Sequence, residues 1–219
     1  MAEAFQRHDL VHVDPVAWTA CLANRSDLRD VPHLKGWAEA GRPVIVRRRA
    51  PGEGDDAVPL GLPLPPADGK RRIGLSLPPT ALSRAPMVSL ADAAAQAPTP
   101  WGSTIATLTA LGRRHEIVPR PFGSLLWQAV TGLTYLSATS DLDVLWRCRL
   151  PVPLSLLDGI AAAAETAPMG IDGEILVPDG AGLHWRELRD APVDGSVLAK
   201  SLDRLALRPV AGLRARRPA

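Results

Sequence analysis

Between positions 121 and 146 the chain reads PFGSLLWQAVTGLTYLSATSDLDVLW, and this stretch holds the residues best suited to chemistry. Gly123 and Ser124 stand where a short strand is expected to turn into the helix LLWQAVTG, which Gly132 would end. Glycine at such a turn lets the backbone come close to a ligand, and the first N–H groups of a helix point at an anion with the helix dipole behind them. The Ser124 hydroxyl adds a donor, so the pair suits a phosphate cradle. The strand expected over DLDVLW alternates, with Asp141, Asp143 and Leu145 on one side and Leu142, Val144 and Trp146 on the other. Two carboxylates about 7 Å apart along the backbone can reach one or two divalent cations. Oxygen-only donors suit Mg²⁺ or Mn²⁺, and a carboxylate pair with polyphosphate oxygens is a common way to hold Mg²⁺ in phosphoryl transfer.

A third carboxylate is expected from a neighbouring strand, and IDGEILVP at 171–178 offers Asp172 and Glu174 on one face. Glu174 is preferred because it sits inside the apolar run EILV, whereas Asp172 precedes Gly173 and suits a turn. Its role is metal ligand or general base, and the sequence leaves both open. Lys70, Arg71 and Arg72 follow the Asp68-Gly69 turn signal and are candidate phosphate contacts. Lys200 is a further candidate, expected on a last helix over 196–205. Only three lysines stand among the 25 basic residues, so the arginines reflect composition and a single arginine carries little information. The five histidines are scattered, without a zinc-type ligand spacing. Cys21 and Cys148 read as reduced core thiols.

These residues need elements to place them. Short strands are expected in DLVHVDP (9–15), RPVIVRRR (42–49) and KRRIGLSLP (70–78), with a helix over 16–23. The prolines and glycines of 50–66 argue against regular structure there. SLADAAAQA reads as one helix in an interdomain connection, and Ser103 or Thr104 as the cap of a helix reaching about Arg114. HEIVPRPF then leads as a strand into the Gly-Ser turn. Helix, strand, helix, strand and a final helix follow, and LRARRPA ends the chain as a frayed basic tail. The expectation is an α+β protein with a small strand-containing domain over 1–81, for substrate or carrier-protein docking, and a mixed-sheet catalytic domain over 82–219.

With 46% hydrophobic and 22% charged residues, the composition is that of an ordinary globular protein. A net charge of +2 argues against holding a nucleic-acid backbone, and the six separated tryptophans suit core packing better than base stacking. No apolar stretch is long enough for a membrane helix, and MAEAFQRHDL is too polar for a secretory signal, so a cytoplasmic location is expected.

The Gly-Ser turn, the following helix, the D-x-D strand and a later strand carboxylate resemble the nucleotidyltransferase superfamily typified by DNA polymerase beta. RHDLVHVDP, GRPVIVRR, LPLPPADGKRRIGLSLP and IDGEILVPDGAGLHWREL join that stretch in resembling one member family, the malonate decarboxylase holo-acyl-carrier-protein synthases, or phosphoribosyl-dephospho-CoA transferases. The resemblance implies a polymerase-beta-like catalytic domain. It also implies transfer of the prosthetic group from 2'-(5''-triphosphoribosyl)-3'-dephospho-CoA to a serine of the apo acyl carrier subunit of malonate decarboxylase, with release of pyrophosphate. Gly123 and Ser124 would then hold the triphosphate, and Asp141 and Asp143 the Mg²⁺. Two other readings stay open: ATP-dependent adenylylation by another superfamily enzyme, and a non-catalytic carrier-binding module.

Overall fold

The computed structural model describes residues 4–215. The chain divides into two compact units, the first running to Met87 and including Val130–Tyr135, the second made of Val88–Ala129 and the residues from Leu136 onward.

In the first unit, β1 (Leu10–Val13) is followed by α1 (Pro15–Ala23), whose start is fixed by the Asp14 carboxylate accepting from the N–H groups of Val16 and Ala17. Next come β2 (Val44–Val46), β3 (Val58–Pro63), β4 (Arg72–Leu77) and β5 (Leu82–Arg84), giving an antiparallel sheet in the order β4-β3-β2-β1-β5. β3 runs through the segment expected to be irregular. Its Val58, Leu60 and Leu62 are buried at every second position, and that burial outweighs the two prolines. Pro59 lacks an N–H to donate, yet its carbonyl still accepts from Arg47 at 2.9 Å. β5 pairs with β1, so the first sheet extends past residue 81, and the chain passes to the second unit at Met87–Val88. The core is tied by Trp18 Nε1 donating to Leu34 O at 2.8 Å and Trp37 Nε1 donating to Pro43 O at 3.1 Å.

The second unit opens with α2 (Leu90–Ala93), closed at its start by a reciprocal Ser89–Asp92 capping box. α2 is short and belongs to this unit; it is not a separate connecting helix. α3 (Gly102–Arg114) follows without a side-chain cap, so neither Ser103 nor Thr104 serves as one. Of the segment expected as a strand before the Gly-Ser turn, only β6 (Arg120–Phe122) is extended. The order continues α4 (Gly123–Thr131), β7 (Leu142–Arg147), α5 (Leu154–Thr166), β8 (Ile171–Leu176), β9 (Gly182–His184), α6 (Trp185–Asp190), β10 (Ser196–Lys200) and β11 (Leu205–Pro209). The mixed sheet runs β11-β10-β9-β8-β7-β6, with β7 and β8 parallel through the α5 crossover and the other pairs antiparallel.

One face of this sheet is apolar. Leu142, Val144, Trp146, Ile171, Ile175, Leu183, Val197 and Ala199 pack in one core with Ile105, Leu108 and Leu111 of α3 and Leu156, Leu157 and Ile160 of α5. The helix expected over 196–205 is a β-hairpin. Val197 and Ala199 alternate inward with period two, and Ser201 closes the turn by bonding the Arg204 carbonyl. Leu213 is buried and the Arg214 guanidinium donates to Leu188 O at 2.8 Å, so the expected frayed tail is anchored there. Its residues 216–219 lie outside the described residues. The architecture is α+β with two sheets, and among the described residues no helix is long and apolar enough to cross a membrane.

Candidate active site

β7 carries buried Leu142, Val144 and Trp146 toward the helices, so the pleat sends Asp143 to the opposite face. β6 delivers Gly123 directly beside it, since Phe122 is the Cα partner of Asp143 and the next residue begins α4. Gly123 takes a left-handed φ of 65°. A Cβ there would collide with Oδ2 of Asp143 and come within 2.8 Å of its Cγ, so the carboxylate fills the space that a side chain would need. Ser124 stands in the first turn of α4 and is half-buried. The expected meeting of a Gly-Ser helix start with a strand carboxylate is therefore present in the geometry. Asp141 is exposed, precedes β7 and shares the parity of Asp143; its carboxylate lies over Gly170, where a Cβ would strike it.

The register of the parallel pair decides which further carboxylate comes next. Asp143 is the Cα partner of Asp172, whereas Glu174 is the partner of Leu145, one step further along the same face. Neighbouring strands lie about 4.8 Å apart, so Asp172 is the nearer acid to Asp143. Asp172 is half-exposed, and its Oδ1 accepts from the Gly173 N–H at 2.6 Å and from His184 Nε2 at 2.9 Å. Asp172-Gly173 is not a turn: Gly173 lies within β8, where a Cβ would run into the Val144 carbonyl.

Glu174 is only 6% exposed, and its Oε1 lies 3.6 Å from the Lys200 ammonium. Lys200, on β10 and not on a helix, reaches the same face because β9 places Gly182 beside Lys200 and His184 beside Glu174. A buried carboxylate with a cationic partner is a balanced charge, worth more to local order than an isolated buried acid would be. Lys70, Arg71 and Arg72 belong to the first unit, at the turn into β4. Lys70 has a left-handed φ of 53°, and the Arg71 guanidinium reaches the Asp27 carbonyl at 3.4 Å.

Sequence alone ranks Asp172 below Glu174 and does not single out His184. Asp172 had the same strand parity as Glu174, but the Asp-Gly pair carried a turn signal. His184 had one available signal, its position just before the helix start WREL. Near these residues, Cys148 is buried and its thiol is pushed up to about 12 by desolvation, so it is no nucleophile at neutral pH. The donors on the polar face are carboxylate oxygens, which fit Mg²⁺ or Mn²⁺ and not a thiolate metal site. Among the described residues no three His, Cys, Asp or Glu side chains converge on one metal position.

Comparison with known proteins adds an independent line. Residues 6–86 match the family model described as the phosphoribosyl-dephospho-CoA transferase MdcG N-terminal domain, and residues 89–211 its C-terminal domain. A phosphoribosyl-dephospho-CoA transferase of Bradyrhizobium diazoefficiens is 42% identical over 205 residues, covering 92% of this chain and 88% of that protein. Proteins of the same name from Xanthomonas euvesicatoria pv. vesicatoria and Xanthomonas campestris pv. campestris are 37% and 39% identical. The first covers 94% of this chain and 95% of its own length, the second 71% and 74%. No solved structure gives a significant match.

Proposed function

Because this chain belongs to the phosphoribosyl-dephospho-CoA transferase family, we propose that the polar face of its second sheet moves that prosthetic group onto a serine of an apo acyl carrier protein, the carrier subunit of malonate decarboxylase. The donor is 2'-(5''-triphosphoribosyl)-3'-dephospho-CoA. In the transfer the serine Oγ bonds to the α-phosphorus, the bond from that phosphorus to the bridging oxygen breaks, and pyrophosphate leaves with the electron pair. The observation that carries this reading is the space above Gly123 filled by the Asp143 carboxylate, next to the N–H groups that start α4. A polyphosphate held by those N–H groups and by Ser124 Oγ would lie against the Asp143 carboxylate of β7. This arrangement supports reading the second unit as a polymerase-beta-like nucleotidyltransferase domain.

Asp141 and Asp143 would hold Mg²⁺ or Mn²⁺. Such an ion supplies neutralisation of charge on the transferring and leaving phosphates. Asp172 takes the proton of the attacking serine hydroxyl, since it is the register partner of Asp143 and is open to solvent. Glu174 holds the Lys200 ammonium on the same face, where its positive charge favours the leaving pyrophosphate. Lys70, Arg71 and Arg72 supply positive charge on the first unit for the acidic surface of a carrier.

The test is direct. Purified protein, apo carrier, triphosphoribosyl donor and Mg²⁺ are incubated, and intact mass spectrometry of the carrier should show the added phosphoribosyl-dephospho-CoA. An unmodified carrier would falsify the reading. Label transferred from ATP without the donor would mark adenylylation instead, and carrier binding without any mass change a docking module.

A further inference from the structure

His184 bonds with both ring nitrogens, and the two bonds determine its tautomer. It is the N-cap of α6, where Nδ1 accepts from the Glu187 N–H at 3.3 Å. An accepting Nδ1 carries no proton, so in the neutral ring the proton is on Nε2. Nε2 lies 2.9 Å from Asp172 Oδ1 and therefore donates to it. The Gly173 N–H donates to the same oxygen at 2.6 Å. Among the described residues both bonds fall on Oδ1, which leaves Oδ2 as the oxygen with open lone pairs. The scaffold behind this arrangement is rigid: His184 pairs across β9 and β8 with Glu174, and Trp185, the next residue, is fully buried.

From this geometry we infer that His184 is a positioning residue for Asp172. Through Nε2 it holds Oδ1 and turns Oδ2 toward the reacting groups, while its other nitrogen anchors the ring to the start of α6. The inference rests on the proposed transferase reaction for its kinetic consequence, but the hydrogen-bond pattern itself does not. A carboxylate oxygen that accepts two hydrogen bonds holds the group against rotation; contacts of this kind behind metal-binding carboxylates change activity by about 10–100-fold when removed, and the same order is expected here. The α6 cap and the Asp172 contact are separable because they use different ring nitrogens.

Two substitutions divide the roles. In His184→Asn the side-chain oxygen can cap α6 but the amide is too short for Asp172. The thermal midpoint should hold, kcat for carrier modification should fall on the order of 10–100-fold, and KM for the donor should stay unchanged. In His184→Gln the amide nitrogen reaches as Nε2 does, so kcat should recover even as the weaker cap lowers the thermal midpoint. Wild-type kcat in His184→Asn, or a His184→Gln variant as slow as His184→Asn, would overturn the inference. A readout free of the assay is the imidazole ¹⁵N spectrum, expected to show an unprotonated Nδ1 and a protonated Nε2 whose shift moves in Asp172→Ala. A protonated Nδ1 overturns the assignment. Wild-type protein that leaves the carrier unmodified while showing the expected ¹⁵N pattern would overturn the transferase reading and uphold the contact.

Discussion

Two constraints meet at Gly123. Its φ of 65° disfavours any side chain, and the space beyond its Cα is filled by Asp143. Gly123→Ala should therefore cost about 1–3 kcal/mol of stability through backbone strain and also push the carboxylate away. The expected outcome is a folded protein of lower thermal midpoint that modifies carrier poorly. Asp143→Asn separates the two effects, since it keeps the size of the side chain and removes its charge. It should retain the wild-type circular dichroism spectrum and lose on the order of 10²–10³ in kcat. Equal activity in Asp143→Asn would show that the carboxylate does not act on the transition state. Gly-Ser and D-x-D were legible at this scale because residue type alone limits what they can do. Asp172 was not, because its importance depends on which residue of β7 it sits beside, and the local Asp-Gly signal suggested a turn.

At the scale of elements, the hairpin of β10 and β11 shows where sequence patterns compete. Over 196–205 the residues are acceptable in a helix, and the alternation of Val197 and Ala199 is only two residues deep. In the protein both are buried, whereas Leu207 on β11 is 72% exposed. Val197→Asp should destabilise the second unit by several kcal/mol, roughly the cost of an unpaired buried charge, and Leu207→Asp should stay within about 0.5 kcal/mol. Urea unfolding monitored by tryptophan fluorescence reads both. In the hairpin Leu207 is the Cα partner of Leu198 and not of the buried Val197, so comparable losses would contradict it. β3 teaches the same lesson. Pro59 and Pro63 signalled irregularity, but Val58, Leu60 and Leu62 gain more from burial than the ladder loses. Elements with long apolar periodicity, such as α3 with Ile105, Leu108 and Leu111, were legible in advance.

For the molecule as a whole, stability should fall at both ends of the pH scale, and each of the two units holds a group that contributes. In the first, Glu53 is lowered from 4.5 to about 2, chiefly by its hydrogen bonds from the Arg47 guanidinium, one of them 2.8 Å long. A depressed folded-state value stabilises the unit above 4.5 and is lost as pH falls toward about 2. In the second, burial raises Cys148 from 9.0 to about 12, so its contribution is complete below 9.0 and is lost as pH rises toward about 12. Thermal midpoints measured across pH should fall at both ends. Glu53→Gln should make the acid limb shallower and Cys148→Ala the alkaline limb, each leaving the other limb unchanged. The family assignment was also legible at this scale, because its motifs are spread along most of the chain and both family models match.

By itself the sequence determined the α+β class, the glycine-serine turn, the acidic strand and the family, since each depends on residue types at short fixed spacing. Only the tertiary structure decided that Asp172 and not Glu174 stands beside Asp143, that Lys200 balances Glu174 from a strand, and that His184 reaches Asp172. Those facts follow from the register between strands distant in the chain. A shift of one residue would send every side chain to the other face, and register is set by how the apolar face packs beneath α3 and α5.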